Sequence, residues 1–245
     1  MIIQHNISAI NSYRNLGINQ SALSKNLEKL SSGYKINRAG DNAAGLAISE
    51  SMRSQINGLN QASANAKDAI GLIKTAEGAL SEVHSMLQRM TTLAEQAANG
   101  TYNTVARGNI QEEYKALTKE IKRISENADF NGIKPLTTGK EMTMTFQIGP
   151  TSGETITVDK EDIYGKTVTA AMSLKLSVQN DAKNALKTIK TAIDDVSTYR
   201  AKLGAAQNRL EHTVKSLDIM SENITEAESR IRDTDMADEM EAFTK

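Results

Sequence analysis

Proline occurs twice in the 245 residues, at Pro135 and Pro150, so residues 1–134 and 151–245 contain none. A proline inside a helix removes a backbone donor and clashes with the preceding turn. Two long tracts without one can therefore carry uninterrupted helices, and the apolar spacing predicts them. The first starts near Ala43, where Asp41 can accept a hydrogen bond from a free first-turn N–H. Its apolar positions are Ile56, Leu59, Ala66, Ile70, Ile73, Leu80, Val83, Leu87, Met90 and Ala94. Steps of three, four and seven keep one narrow stripe in line. Asn99-Gly100 ends the helix, a pair that tolerates positive φ. About 55 residues at 1.5 Å each give roughly 80 Å of helix.

A shorter helix follows, marked by Ile110, Tyr114, Leu117, Ile121 and Ile124, and should fold back on the first. Residues 127–135 read as loop. Strict alternation then sets in at Met142, Met144, Phe146 and Ile148, with the turn Gly149–Gly153 and the answering Ile156 and Val158. That is a β-hairpin with one apolar face. A helix must cover it, since two isolated strands are marginal. The last long helix begins near Ser177 or Asn180, with its stripe running from Ala182 and Leu186 to Ile224 and Ile231. Two long helices of equal length with narrow stripes, joined by a reversing helix and a hairpin, pack antiparallel. The fold class is mainly α: a long antiparallel helical rod, coiled-coil-like, with a small β-hairpin.

Residues 1–32 form another helical stretch, with Ile3, Ile7, Ile10, Leu16, Leu23, Leu27 and Leu30 as one apolar stripe closed by Ser31-Ser32-Gly33. The antiparallel argument puts the partner of this stretch beyond residue 232, where thirteen residues remain. An amphipathic helix without a partner frays or buries its stripe in another molecule. Self-assembly is the expectation.

Catalysis has little material. Cysteine and tryptophan are absent, and the three histidines, His5, His84 and His212, are far apart. No thiolate metal site, thiol nucleophile or Ser/His/Asp set can be argued from them. Gly40 and Gly45 follow no strand and precede no Gly-Lys-Ser/Thr, so they form no phosphate loop. Asp233 and Asp235 read as a polar break between helices, and His84 as a helix-surface residue. No enzyme, cofactor or metal is expected. With 29 basic and 30 acidic residues the formal net charge is −1, without the basic excess of a nucleic-acid binder. No stretch approaches the roughly 20 apolar residues of a membrane span, and residues 1–8 lack the pattern of a signal peptide.

Seven blocks in order, Met1–Ile10, Glu28–Ser49, Thr75–Leu80, Ala97–Gly100, Phe130–Gly132, Leu203–Leu210 and Ala227–Ala237, resemble bacterial flagellin. The resemblance covers nearly the whole chain. It implies a subunit of the extracellular flagellar filament, polymerising with other flagellin subunits. It implies passage unfolded through the flagellar export apparatus, an export chaperone, and addition beneath a filament cap. Terminal helices would form the inner tube and the α-rich shaft the next shell. On that scheme residues 1–42 are the N-terminal inner-tube segment and spoke. Residues 43–176 are shaft helices plus hairpin, 177–232 the C-terminal shaft helix, and 233–245 the start of a C-terminal inner-tube segment. The short middle, hairpin plus residues 160–173, resembles a minimal flagellin without large outer domains. Family members continue past residues 241–245 with another terminal helix, gripped by the chaperone, which is the partner the antiparallel argument asks for.

Many flagellins are also recognised by the vertebrate flagellin-sensing Toll-like receptor. The family pattern Gln-Arg-Val-Arg-Glu-Leu-Ala-Val corresponds here to Gln88–Glu95. It maps an interface role onto Arg89, Leu93 and, on the returning helix, Glu113, while Thr91, Thr92 and Glu95 replace the second Arg, the Glu and the final Val. In the family the same surface packs against neighbouring subunits. Inside the family the competing reading is a hook–filament junction protein. Outside it, the alternative is a soluble helical adaptor that binds one partner through residues 1–32.

Overall fold

The computed structural model describes residues 6–137, 143–160 and 174–244. Five helices and one hairpin follow in order: α1 (Ile7–Ser32), α2 (Ala43–Ala98), α3 (Thr104–Asn127), β1 (Thr143–Gln147), β2 (Thr155–Asp159), α4 (Gln179–Arg232) and α5 (Met236–Thr244). The two long helices run 56 and 54 residues, as the proline-free tracts predict. The chain divides into two compact units, Gln61–Leu217 and the pair Met1–Asn60 with Asp218–Lys245.

The core of the Gln61–Leu217 unit is a heptad seam. On α2 the seam positions are Ala62, Ala66, Ala69, Ile73, Ala76, Leu80, Val83, Leu87, Met90, Ala94 and Ala97, at alternating steps of four and three, with Ser63, Leu72 and Leu93 buried beside them. On α4 they are Ala182, Ala185, Ile189, Ala192, Val196, Tyr199, Leu203, Ala206 and Leu210, with the same rhythm. A strict 3.5-residue period keeps both seams facing each other. Alanine at so many of these positions lets the helix backbones approach closely, which explains how a chain with few aromatics fills its centre. Glu77–Arg200 at 3.5 Å and the Gln179 Nε2 bond to the Ala98 carbonyl at 3.0 Å confirm the antiparallel sense here.

α3 adds Ile110, Tyr114 and Ile121 to this core. Its buried Thr118 and Ser125 hydroxyls return hydrogen bonds to the Tyr114 and Ile121 carbonyls, so neither is left unsatisfied. Burial alone pushes the Tyr114 phenol up to about 12, marking it as packing rather than proton chemistry. The turn between α2 and α3 is held by Arg107, whose guanidinium donates to the Ala97 and Asn99 carbonyls at 2.9 and 3.0 Å. Helix C-termini carry unpaired carbonyls, and a cation is favoured there.

The hairpin pairs Met144 with Val158 and Phe146 with Ile156. Met144, Ile156 and Val158 are buried in the same core, so the predicted cover exists. Met142, the first residue of the expected alternation, lies outside the described residues, as do residues 161–173.

In the other unit, α2 and α4 are again antiparallel, tied by Asn60–Ser221 at 3.0 Å and by Ser49–Glu228 at 2.7 Å. The chain between α1 and α2 is fastened to the end of α4. Lys35 N donates to the Arg232 carbonyl at 2.6 Å, Thr234 N donates to Gly33 O at 3.1 Å, and Tyr34 and Asp233 form an isolated antiparallel bridge. The Arg232 guanidinium sits 4.6 Å from the Tyr34 ring centre and reaches Glu50 at 3.2 Å. Gly33, with φ of 76°, ends α1 in the left-handed region that glycine tolerates.

One expectation is corrected at the start of α2. Asn42, not Asp41, is the cap: its Oδ1 accepts from Gly45 N at 2.9 Å. Asp41 lies one residue too early and instead closes the preceding loop, accepting from Asn37 N and Arg38 N at 3.2 and 3.0 Å. Those two backbone donors hold its carboxyl below the usual range. Gly45 is also constrained, because a Cβ there would lie 2.7 Å from Ile36 Cδ1. Asn42→Ala should lower stability by about 1 kcal/mol. Urea unfolding followed by circular dichroism checks it, and an unchanged midpoint would sink the assignment.

Candidate assembly and recognition surfaces

No residue of α1 is buried. Ile7, Ile10, Leu16, Leu23 and Leu27 are exposed, Leu30 is half-buried, and Ile3 lies outside the described residues. Their arrangement differs from a single stripe. At about 100° per residue, Leu16, Leu23, Leu27 and Leu30 share one narrow arc, while Ile7 and Ile10 fall on the opposite side. The step of six from Ile10 to Leu16 turns the helix by about 240°, which moves the apolar set across it. Ile18 joins the Ile7 face, and Tyr13, between the two apolar arcs, is 79% exposed. Neither residue belongs to the stripe predicted from spacing, and a helical projection of residues 7–32 places both.

The expectation that nothing covers this stretch is also corrected. Residues 236–244 form α5, which lies along the leucine face of α1. Leu16, Leu23, Asn26, Ala242 and Phe243 line one shallow cleft, and Lys29 pairs with Glu239 at 3.3 Å. Nine residues cannot span a 26-residue helix, so the leucines remain partly exposed and the isoleucine face has no cover among the described residues. Asp235 caps α5, its Oδ1 accepting from Ala237 N at 2.8 Å, which gives that carboxylate a structural role.

Arg89 and Glu113 meet across α2 and α3. Arg89 Nη2 lies 2.7 Å from Glu113 Oε1, with both side chains about half exposed. Leu93 does not stand with them: it is 1% exposed and belongs to the core. Its heptad neighbours Met90 and Ala97 draw it inward, so it can only support the surface from beneath. His84 is half-buried rather than fully on the surface, with its Nε2 3.0 Å from Gln88 Nε2.

Residues 3–141 match the family model for the bacterial flagellin N-terminal helical region, and residues 186–245 match that for the C-terminal helical region. The chain belongs to the bacterial flagellin family. It is similar to the flagellin of Halalkalibacterium halodurans, 49% identical over 246 residues spanning 100% of this chain and 90% of that one. The flagellin of Bacillus subtilis is 48% identical, over 100% of this chain and 91% of its own length. The crystal structure of Bacillus cereus flagellin superposes with a TM-score of 0.58 at 32% identity, covering 63% of this chain and 88% of that one. As a flagellin the chain is a structural subunit of the flagellar filament, assembling with its own kind. The family is structural and not enzymatic.

Proposed function

We propose that α1 and α5 are the elements through which this flagellin enters the filament. Residues 1–42 and 233–245 would line the inner tube and residues 43–232 the shaft. The observation that carries this is an N-terminal helix of 26 residues without one buried side chain. A helix in that state is marginal in water and gains when its apolar faces meet those of a neighbour. Folding of the terminal segments and assembly are then one event, in which apolar burial offsets lost chain entropy. Filament growth outside the cell, export through the flagellar type III apparatus, escort by an export chaperone and addition beneath a cap belong to the same proposal, on the strength of family membership. Electron microscopy of the concentrated chain seeded with filament fragments tests it. Long tubes are expected, and a sample that stays dispersed overturns it.

The second surface supports recognition by the flagellin-sensing Toll-like receptor. The exposed Arg89–Glu113 pair offers a planar donor fork held in place by its own carboxylate. Arg89→Ala should weaken receptor binding by about tenfold or more. Surface plasmon resonance measures this, and unchanged affinity would remove the residue from the interface.

A further inference from the structure

Asn-Gly occurs three times, at Asn57-Gly58, Asn99-Gly100 and Asn131-Gly132. Glycine leaves the nitrogen that follows asparagine unhindered, so the pair can close a cyclic imide when that nitrogen reaches the side-chain carbonyl. The fold treats the three pairs differently. Asn57 and Gly58 lie inside α2, where the Gly58 N–H is committed to the helix ladder. Asn131 and Gly132 are exposed at the centre of a tight turn, with φ of 53° and 83° between the paired Phe130 and Ile133. There the Gly132 N–H is donated to Asp129 Oδ2 at 3.1 Å.

Asn99-Gly100, in the turn after α2, is arranged otherwise. Both residues are exposed, and Gly100 N donates to no acceptor among the described residues. Asn99 Oδ1 accepts from Thr101 N at 3.3 Å, which folds the side-chain carbonyl over the following peptide. The same donor draws electrons from Cγ and is placed to receive the charge that builds on that oxygen during attack. Arg107 Nη2 holds the main-chain carbonyl of Asn99 at 3.0 Å, so the residue is fixed from both sides. Space is open around Gly100: a Cβ there would meet nothing nearer than Gln179 Nε2 at 3.9 Å.

We propose that Asn99 is a site of spontaneous deamidation, selected from the three pairs by the fold. Solvent base takes the Gly100 N–H proton, and the nitrogen attacks Asn99 Cγ. The Cγ–Nδ2 bond then breaks, and ammonia leaves after taking a proton from water. Water adds to one of the two imide carbonyls and the ring C–N bond opens. The sum is one water gained and one ammonia lost, with nothing oxidised or reduced. Opening at the former side-chain carbonyl gives aspartate. Opening at the main-chain carbonyl gives isoaspartate, whose free carboxylate is the group already bonded to Arg107. Either product places a negative charge beside that guanidinium, which favours it.

The test is peptide-mapping mass spectrometry of the full chain held in mildly alkaline buffer, with isoaspartyl methyltransferase labelling to separate the two products. Asn99 should convert about tenfold or more faster than Asn57 and Asn131, whose following N–H groups must first break a hydrogen bond. In urea the three rates should converge, because the ladder and the turn are gone. Gly100→Ala should slow conversion of Asn99 with helical content unchanged, since the site has room for the methyl group. Asp129 is exposed, and Asp129→Ala releases the Gly132 N–H, so conversion of Asn131 should rise about tenfold. Equal rates for Asn99 and Asn131 in the folded chain overturn the proposal. So does a ranking that survives in urea, which assigns the selectivity to sequence alone. An Asn131 that stays slow after Asp129→Ala overturns the protective role of that carboxylate.

Discussion

Deleting residues 1–32 should abolish polymerisation while the Gln61–Leu217 unit stays folded. The two outcomes separate because the heptad seam of that unit takes nothing from α1, none of whose residues is buried. Removing α1 strips Glu239 of its Lys29 partner and α5 of the surface it lies on, so α5 should fray as well. The helical signal should therefore fall by slightly more than the deleted residues account for, with the main thermal transition nearly in place. Ultracentrifugation and electron microscopy should find monomers at concentrations where the intact chain grows from seeds. Normal tubes from the truncated chain would show that the exposed apolar residues of α1 are not the assembly element. Collapse of the main transition would show that α1 supports the core in a way its exposure does not reveal.

The second large effect separates two leucine-sized side chains by burial. Leu87 is fully buried on the seam, whereas Ile10 is 55% exposed on α1. Leu87→Ala should cost about 2–5 kcal/mol, because close-packed neighbours relax only partly into the space left behind. That is a large share of the roughly 5–15 kcal/mol that holds a typical domain together. Ile10→Ala should change monomer stability by no more than about 0.5 kcal/mol. It should nonetheless raise the critical concentration at least about tenfold, since the lost aliphatic surface would be buried only on assembly. Denaturant midpoints and seeded growth measured on both variants decide the matter. A destabilised Ile10→Ala monomer would mean that the N-terminal face is already covered within one chain.

Binary pattern and the placement of breakers decided most of the secondary structure. Two proline-free tracts with apolar steps of three and four leave few options other than long helices, because the pattern is a property of helix geometry and needs no partner to be read. Period-two alternation at Met144–Ile148 and Ile156–Val158 marked the hairpin on the same grounds. Ordered blocks such as Glu28–Ser49 and Leu203–Leu210 carried the family resemblance, which the matched family regions bear out. The exposed state of Ile7, Ile10 and Leu16 was also legible, since an apolar stripe without a long enough partner cannot be buried.

Tertiary structure decided what depends on the third dimension. Asn42 rather than Asp41 caps α2, because capping requires an oxygen within reach of one N–H, and a shift of one residue points it elsewhere. Leu93 lies inside although its motif suggested a surface role, because it flanks the α2 seam at Met90 and Ala94 and is packed into the core with them. α5 covers the leucine side of α1 and leaves the isoleucine side bare. Spacing along the chain fixes which side chains share a face of a helix. Which face meets which neighbour depends on where the packed elements place that helix, and only the fold supplies this.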